Sequence, residues 1–304
     1  RSRAARARQA SVRYLMLTMS QKQSDGKVWW ITGASSGLGR VLAEEALKAG
    51  HRVVASARRV DELREWAKGA PDRVLVLPLD VEKREAIAGA TKAVLERFGR
   101  IDVLANNAGY GLLGAVEEVS EAEARAQMET NFFGALWMTQ AVLPPMREQR
   151  GGCVLQISSV AGVHATAGFG LYNASKFALE GFSEALALEL AGSGVRVVIV
   201  EPGPFRTQFL GASLRRAERR IEAYASTAHA TEARVRSNDG TQEGDPVKAA
   251  RVMLAVAEAT VPPLRLPLGR WAHERSRAKA EWLLRDLEAW AERSLPTAFD
   301  DAAR

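Results

Sequence analysis

The sequence predicts an α/β fold in which helices cover both faces of a doubly wound, parallel β-sheet. Six short apolar runs alternate with longer amphipathic stretches, and none of the six shows polar alternation. Strands of that kind belong to sheets buried on both faces. Their alternation with helices indicates parallel strands joined by right-handed crossovers. The six predicted strands are "KVWWIT", "HRVVAS", "RVLVLPL", "IDVLAN", "GGCVLQIS" and "VRVVIV".

The stretches between the strands predict the crossover helices, and the pattern changes after the sixth strand. Residues 208–243 are charged, alanine-rich and poorly periodic, which indicates a variable substrate loop or lid. Residues 262–304 form a C-terminal extension that ends in a helix from about 271 to 293. The other predicted helices cover residues 38–49, 60–68, 82–98, two stretches up to 147, 171–191 and 246–259.

Length and composition indicate one domain with a basic tail. At 304 residues and 47% hydrophobic composition, the chain can bury a full core, and we expect one domain over residues 25–304. Residues 1–24 hold six of the 42 basic residues and no acid, and we expect a disordered or artefactual tail rather than a targeting segment. The other 36 basic residues equal the 36 acidic ones, so composition does not favour nucleic-acid binding.

Several other classes of protein are disfavoured by what the sequence lacks. No run approaches the roughly 18 apolar residues that span a bilayer. The single cysteine, Cys153, cannot form an intrachain disulfide, which fits a reducing compartment, and we expect a cytoplasmic protein. Four scattered histidines and this cysteine show no spacing typical of a metal site.

A glycine-rich segment, "ITGASSGLGR", follows the first predicted strand and opens a helix. Gly33, Gly37 and Gly39 allow a tight turn and close approach of an anion, which the free N–H groups of the helix N-terminus would stabilise. A turn that merely needs glycine is the alternative interpretation. Its place in a βαβ unit favours a dinucleotide site and a Rossmann-type sheet.

The end of the second strand predicts which dinucleotide binds. An acid near this position usually holds a free ribose 2′-hydroxyl, whereas a 2′-phosphate requires arginine. Here the strand ends in "ASARRVDEL", which places Arg58 where an acid would select NAD and leaves Asp61 and Glu62 in the next helix. This favours NADP(H), with Arg59 as a second contact; the alternative is a solvated arginine at a helix start.

A tyrosine and a lysine lie four residues apart in "LYNASKFALEG". Tyr172 has an ordinary phenol pKa near 10, and an ammonium one turn away, at Lys176, would stabilise the phenolate and lower that pKa. Such a pair can act as a general acid or base on a carbonyl or alcohol oxygen. Ser159, at the end of the fifth strand, would polarise the same oxygen from the carboxyl edge of the sheet.

These motifs together resemble the classical short-chain dehydrogenase/reductase family over about residues 26–207. The matching elements are "TGASSGLG", "NNAG", Asn131, "ISS", "YNASK" and "EPG…T", with the serine thirteen residues before the tyrosine. The resemblance implies that Tyr172 is the general acid/base, that Ser159 polarises the substrate and that Lys176 also bonds the nicotinamide ribose. Asn131 would hold a water in a proton relay.

The resemblance also implies cofactor contacts along the whole cleft. They comprise Gly33, Ser35, Ser36, Gly37, Leu38 and Gly39 at the phosphates, Asp80 and Val81 at the adenine, Asn107, Ala108 and Gly109 beside the cofactor, and Pro202, Gly203 and Thr207 at the nicotinamide. Many NADP(H)-dependent members carry a basic residue where this chain has Ser36, so Arg58 carries most of the NADP(H) prediction.

The C-terminal region bears on the substrate. It lacks the short "GG"-ending strand of members that reduce acyl-carrier thioesters, and it is similar to the retinol and 17β-hydroxysteroid dehydrogenase subgroup. A hydrophobic substrate is therefore expected, with Phe169, Phe205 and Phe209 as an apolar wall. The alternatives are an NAD(H)-dependent reductase of 3-oxoacyl thioesters and a non-catalytic nucleotide sensor on the same fold. The family also implies a homodimer or homotetramer through helices that include residues 171–191.

Overall fold

The computed structural model describes residues 26–299. The predictions for residues 1–24 lie outside this range. The fold class predicted from the sequence is confirmed: seven parallel strands form one sheet in the order β3-β2-β1-β4-β6-β7-β9. The strands of this sheet are β1 (Val28–Thr32), β2 (Arg52–Ala57), β3 (Val74–Pro78), β4 (Val103–Asn106), β6 (Gly152–Ile157), β7 (Val195–Pro202) and β9 (Arg265–Leu268). Two further strands, β5 (Gly111–Leu113) and β8 (Leu214–Arg216), pair with each other outside it.

Helices cover both faces of this sheet, as the unbroken apolar strands require. They are α1 (Gly37–Lys48), α2 (Asp61–Ala67), α3 (Arg84–Phe98), α4 (Glu121–Met128), α5 (Gly134–Glu148), α6 (Gly170–Glu189), α7 (Ala230–Ser237), α8 (Pro246–Glu258) and α9 (Arg270–Ser294). Neighbouring side chains of β1 point to opposite faces, so Trp29 packs in the core beneath α1 and α8 while Trp30 packs in the core beneath α3, α5 and α6.

One turn of π-helix, Glu129–Phe133, joins α4 to α5. A π-turn inserts an extra residue into a helix and often accompanies a functional site. Here it contains Asn131, whose side chain is turned inward and almost fully buried. The sequence predicted two helical stretches in this region but not the irregular turn between them.

The lid, residues 208–243, is more regular than its sequence predicted. It contains β8, which pairs in parallel with β5 outside the main sheet, and the helix α7. The charged, alanine-rich composition hid β8 because this strand is only three residues long and two of them, Arg215 and Arg216, are exposed. Pairing with β5 fixes one end of the lid to the body of the protein.

The C-terminal extension contains an element that sequence analysis missed. Strand β9 pairs in parallel with β7 and forms an edge of the main sheet. Its sequence, "RLPL", contains Pro267, which argues against a central strand but is compatible with an edge strand that needs no donor on its outer side. The extension is otherwise helical, as expected.

Helix α9 packs on the body only through its first turns. Ala272 is fully buried, whereas the side chains beyond residue 279 are exposed apart from the half-buried Ala291. Several of the exposed ones are large and apolar, among them Trp282, Leu287 and Trp290. Within residues 26–299, no helix has the length and apolar character needed to cross a membrane.

Candidate active site

A large cleft follows the carboxyl edge of the main sheet, where the strand order reverses between β1 and β4. Its volume is about 1330 Å³, which exceeds the roughly 300–1,000 Å³ of a typical small-molecule pocket. The cleft therefore has room for a dinucleotide and a second molecule. All of the predicted site residues line it except Gly39 and Asn131.

The phosphate end of the cleft is the turn between β1 and α1. Gly33 and Gly37 have positive φ angles of 65° and 58°, which a residue with a side chain adopts only with strain. Ser36 precedes the helix without capping it through its side chain, and the first turn of α1 contains no acid. The helix N-terminus thus offers free N–H groups and an uncompensated dipole to an anion, so this turn fits a dinucleotide phosphate.

Gly39 supports this turn from behind rather than facing the cleft. A Cβ atom at this position would lie 2.2 Å from Asn107 Nδ2 and 2.7 Å from the Gly33 carbonyl oxygen. Asn107 Nδ2 donates to the Thr32 carbonyl at 2.8 Å, and the Thr32 hydroxyl accepts the N–H groups of Asn107 and Ala108, each at 3.0 Å. The third glycine is therefore required where α1 packs against the loop after β4.

The adenosine end contains the predicted cation and acid positions. Arg58 and Arg59 follow β2 and are exposed in the cleft, which the half-buried Asp80 and the buried Val81 also line. Asp61 starts α2, as the sequence predicted, and also lines the cleft. The wall at the end of β2 is therefore basic, with acids one helical turn farther on.

One aromatic and cationic pair in the cleft was not anticipated. Arg215 of β8 lies over the ring of Tyr110, 4.2 Å from its centroid. Burial raises the pKa of Tyr110, while the Arg215 and Arg58 guanidiniums oppose this shift. The sequence contained no local signal for the pair because Arg215 reaches Tyr110 only through the pairing of β5 with β8.

The predicted catalytic side chains meet where α6 passes the end of β6. Tyr172 and Lys176 lie one turn apart on α6 and both line the cleft. Lys176 Nζ donates to the Ile157 carbonyl at 2.8 Å and lies 5.9 Å from the centroid of the Tyr172 ring. Ser159 follows β6, and its hydroxyl interacts with the Tyr172 phenol and lowers the pKa of that phenol. The structure thus brings the three predicted side chains together.

The pKa of Tyr172 moves opposite to the expected direction. Burial raises it to about 12, and the Ser159 hydroxyl opposes that rise only in part. Burial also lowers the pKa of Lys176 to about 8, against the influence of the Glu180 carboxylate. Desolvation of the buried phenolate, rather than the expected lowering by Lys176, therefore sets the direction of the phenol shift. At neutral pH, Tyr172 therefore holds its proton.

Asn131 lies beneath the cleft with both ends of its amide engaged. Its Oδ1 accepts the Tyr110 N–H at 3.0 Å, and its Nδ2 donates to the Tyr110 carbonyl at 2.9 Å and to Ser175 Oγ at 3.2 Å. A Cβ atom on Gly109 would lie 3.0 Å from Asn131 Oδ1. Asn131 thus holds the loop after β4 against α6, and its role in a proton relay stays a prediction.

The nicotinamide end lies after β7. Gly203 N–H donates to the Leu268 carbonyl of β9 at 3.0 Å, which fixes the turn that begins at Pro202. A Cβ atom on Gly37 would lie 3.8 Å from Thr207 Cβ, so the loop after β7 reaches the glycine turn. The predicted contacts at the phosphate and nicotinamide ends therefore face the same cleft.

Two of the three predicted aromatic residues pack directly on the Tyr172 ring. The ring centroids of Phe169 and Phe209 lie 5.9 and 5.7 Å from that of Tyr172. Phe205 also lines the cleft, but its ring packs against the backbone near Gly244, where a Cβ atom would lie 2.6 Å away. The apolar wall nearest the phenol is thus Phe169 and Phe209.

Comparisons with known proteins agree with this site. A family model described as short chain dehydrogenase matches residues 27–218. Oxidoreductase BOA17 of Botryotinia fuckeliana is 38% identical over 273 residues, which cover 90% of this chain and 99% of that protein. A crystal structure of a short-chain dehydrogenase from Streptomyces avermitilis is 42% identical, has a TM-score of 0.85 and covers 90% of this chain and 100% of its own.

Two similar structures contain a nicotinamide cofactor. A serine dehydrogenase complexed with NADP+ is 28% identical, has a TM-score of 0.69 and covers 79% of this chain and 94% of its own. A short chain dehydrogenase/reductase from Burkholderia phymatum in complex with NAD is 26% identical, has a TM-score of 0.74 and covers 87% of this chain and 95% of its own. The fold, the cleft and the similarity to known dehydrogenases together identify the protein as an NAD(P)-dependent dehydrogenase or reductase. Within that class, the chain belongs to the short-chain dehydrogenase family.

Proposed function

We propose that the protein is an NADP(H)-dependent oxidoreductase that interconverts a secondary alcohol and its ketone, or a primary alcohol and its aldehyde, with Tyr172 as general acid/base. The observation that carries this proposal is the meeting of Tyr172, Lys176 and Ser159 in one cleft with the glycine turn. Bound NADP(H) supplies or accepts the hydride. Every other part of the reaction is assigned to side chains of this chain.

Tyr172 is suited to give a proton in the reductive direction. Its pKa of about 12 keeps the phenol protonated at neutral pH, so the hydroxyl can donate to a carbonyl oxygen as negative charge develops there. Ser159 would donate to the same oxygen. The Lys176 ammonium, 5.9 Å from the phenol ring centroid, would stabilise the phenolate that remains.

The proposed preference for NADP(H) depends on Arg58 and Arg59. Both lie at the end of β2 in the cleft, where a guanidinium can make paired, charge-assisted hydrogen bonds to a 2′-phosphate. Asp61 and Glu62, in the first turn of α2, also line the cleft. Their negative charge would repel a 2′-phosphate and so opposes the two arginines. NADP(H) is preferred if the attraction of the two arginines for the 2′-phosphate exceeds the repulsion by the two acids. In the opposite case NAD(H), the alternative, is preferred.

The proposed substrate is hydrophobic. Phe169 and Phe209 flank the Tyr172 ring at about the distance of aromatic contacts. A ketone whose carbonyl reaches the phenol would thus place its nearest carbons against aromatic rings. Apolar rings or chains fit this wall better than small polar ketones do.

A ketone screen with a single tyrosine variant tests the proposal. NADPH oxidation is followed with cyclic, aromatic and long-chain ketones for the natural sequence and for Tyr172→Phe. We expect turnover to fall by about 10²-fold or more without the phenol, while NADPH binding, measured by tryptophan fluorescence, is retained. Tyr224→Phe is the matched control because Tyr224 does not line the cleft and its hydroxyl donates to Glu117. Full turnover by Tyr172→Phe would contradict the catalytic assignment.

A further inference from the structure

A buried carboxylate lies one helical turn beyond the catalytic lysine. Glu180 follows Lys176 by four residues on α6, so the two side chains share a face of the helix. Their exposed fractions are 4% and 6%. Tyr172 precedes Lys176 by the same interval, so the ammonium lies between the phenol and the carboxylate along the helix. Neither sequence spacing nor the family resemblance had singled out Glu180.

Arg265 of strand β9 holds this carboxylate. Its guanidinium forms an ion pair with Glu180, and it also pairs with Glu201 of β7 at 2.9 Å and with Glu184 of α6 at 2.6 Å. Glu180 and Glu201 are buried, whereas Glu184 is half exposed. One guanidinium shared by three carboxylates does not neutralise them, so the cluster retains negative charge beside α6.

The cluster also packs directly against the active-site turn. Gly162 lies three residues after Ser159, and a Cβ atom there would be 2.9 Å from Glu180 Oε1 and 2.7 Å from Ser158 Oγ. The Ser158 hydroxyl lies close enough to Glu180 to lower the pKa of that carboxyl, although within residues 26–299 neither of these two oxygens makes a geometrically complete hydrogen bond. The turn after Ser159 therefore packs closely against the Glu180 carboxyl.

We propose that Glu180 is a positioning residue that keeps the Lys176 ammonium charged by placing a buried carboxylate one turn behind it. Burial alone disfavours the ammonium, and a nearby negative charge restores it. The two groups form no direct ion pair, because Lys176 Nζ donates to the Ile157 carbonyl; the carboxylate acts through space. The inference rests on the proposed proton transfer at Tyr172.

The pKa shifts of the cluster agree with this arrangement. Burial raises the pKa of Glu180 to about 7, with Glu201 adding to the rise and Arg265 opposing it. The Glu180 carboxylate in turn raises the pKa of Lys176, which burial otherwise lowers to about 8. Burial also raises the pKa of Glu201, and Arg265 and, more weakly, His273 of α9 oppose that rise. Glu180 is therefore charged in the pH range in which Lys176 would begin to lose its proton.

The first test measures the lysine directly and needs no substrate. Competitive acetylation across a range of pH, read by peptide mass spectrometry, gives the pKa of Lys176 in the purified protein. We expect Glu180→Gln to lower this pKa by about one unit, since it removes the nearby charge and keeps the shape. Glu184→Gln is the matched control, because it removes another partner of Arg265 from the same helix at a more distant, half-exposed position. An unchanged Lys176 pKa in Glu180→Gln would overturn the proposal.

The second test is the pH profile of ketone reduction. Below about pH 6, Glu180 is neutral in the natural sequence, so it and Glu180→Gln should turn over at the same rate. Near pH 8, Glu180→Gln should be about fivefold slower because more of its Lys176 is uncharged. An equal loss at every pH would indicate a merely structural role and overturn the proposal. Absence of turnover in the natural protein would instead contradict the proposed function. The inference about Glu180 would then be decided by the Lys176 acetylation experiment alone.

Discussion

At the scale of single residues, the proposed preference for NADP(H) depends mainly on Arg58. This residue lies in the cleft at the end of β2, and no acid occupies that strand end, since Ser56 and Ala57 precede it. A hydrogen bond between charged partners contributes about 1.5–3 kcal/mol. That range corresponds to roughly 10- to 100-fold in affinity, enough to separate two dinucleotides that differ by one phosphate.

Arg58→Ala should therefore lose NADPH selectively. We expect kcat/KM for NADPH to fall by about tenfold or more, with little change for NADH, because only NADPH carries the phosphate that the guanidinium would bind. The measurement is steady-state kinetics with both cofactors. Arg64→Ala serves as the control, since Arg64 is exposed on α2 and pairs with Asp61 at 3.6 Å. An equal loss with both cofactors would contradict the assignment of Arg58.

Single residues also show what a local pattern can and cannot predict. The four-residue spacing of Tyr172 and Lys176 was sufficient to place both in the cleft, because a helix fixes that geometry. The sign of the Tyr172 pKa shift was wrong, since it depends on how much of the protein covers the ring. The burial of a side chain depends on the whole folded molecule, so a five-residue motif cannot predict it.

Among the elements, the expected lid, residues 208–243, is held to the body partly through one buried acid, Glu118. Glu118 accepts the Ile221 N–H of the lid at 2.7 Å and lies 2.7 Å from His229 Nε2, also of the lid. It accepts the Ala115 N–H at 2.7 Å as well. Burial raises the pKa of Glu118, but these hydrogen bonds outweigh burial and bring it to about 2. The lid therefore depends on the charge of Glu118.

This depressed pKa predicts how stability depends on pH. A carboxyl whose pKa falls from 4.5 to about 2 on folding contributes stability above pH 4.5 that is lost as the pH falls toward 2. Thermal melts followed by circular dichroism should show Glu118→Gln below the natural sequence at pH 7, with the difference shrinking by pH 3. Glu121→Gln, an exposed acid paired with Arg125 on α4, should match the natural sequence at both pH values. A constant difference would argue against the ionised anchor.

The sequence predicted the elements of the repeating strand–helix pattern well and the short strands poorly. The βα rhythm gave the main helices to within about two residues, because long amphipathic stretches carry their own periodicity. Strand β8 has three residues and β9 contains Pro267, so neither resembles a strand in isolation. Both form only because a neighbouring strand offers an edge, which is a contact between distant parts of the chain.

At the scale of the whole molecule, α6 offers a surface for a second copy of the chain. Its inner face carries Tyr172 and Lys176, while Phe177 and Leu188 expose 42% and 79% of their surface. Large apolar side chains in solvent often mark an interface. We propose the homodimer or homotetramer through α6 that the family resemblance implied.

Light scattering coupled to size exclusion should find a dimer or tetramer for the natural sequence. Leu188→Glu should shift the mass toward the monomer, because it buries a charge in the proposed contact. Leu287→Glu provides a comparison: this residue is 69% exposed on the outer part of α9, and its change should leave the mass unaltered. A monomeric natural protein, or dissociation caused only by Leu287→Glu, would refute an interface on α6.

The edge strand β9 has a consequence for how the molecule comes into being. The glycine turn, Ser159 and Tyr172 are all synthesised well before Arg265, the guanidinium that balances Glu180 behind the lysine. During synthesis, strands β1 to β7 therefore leave the ribosome before Arg265, the ion-pair partner of the buried Glu180. A nascent chain that stops before β9 would hold Glu180, Glu184 and Glu201 without the guanidinium that they share, so pairing of β9 with β7 completes this ion-pair cluster.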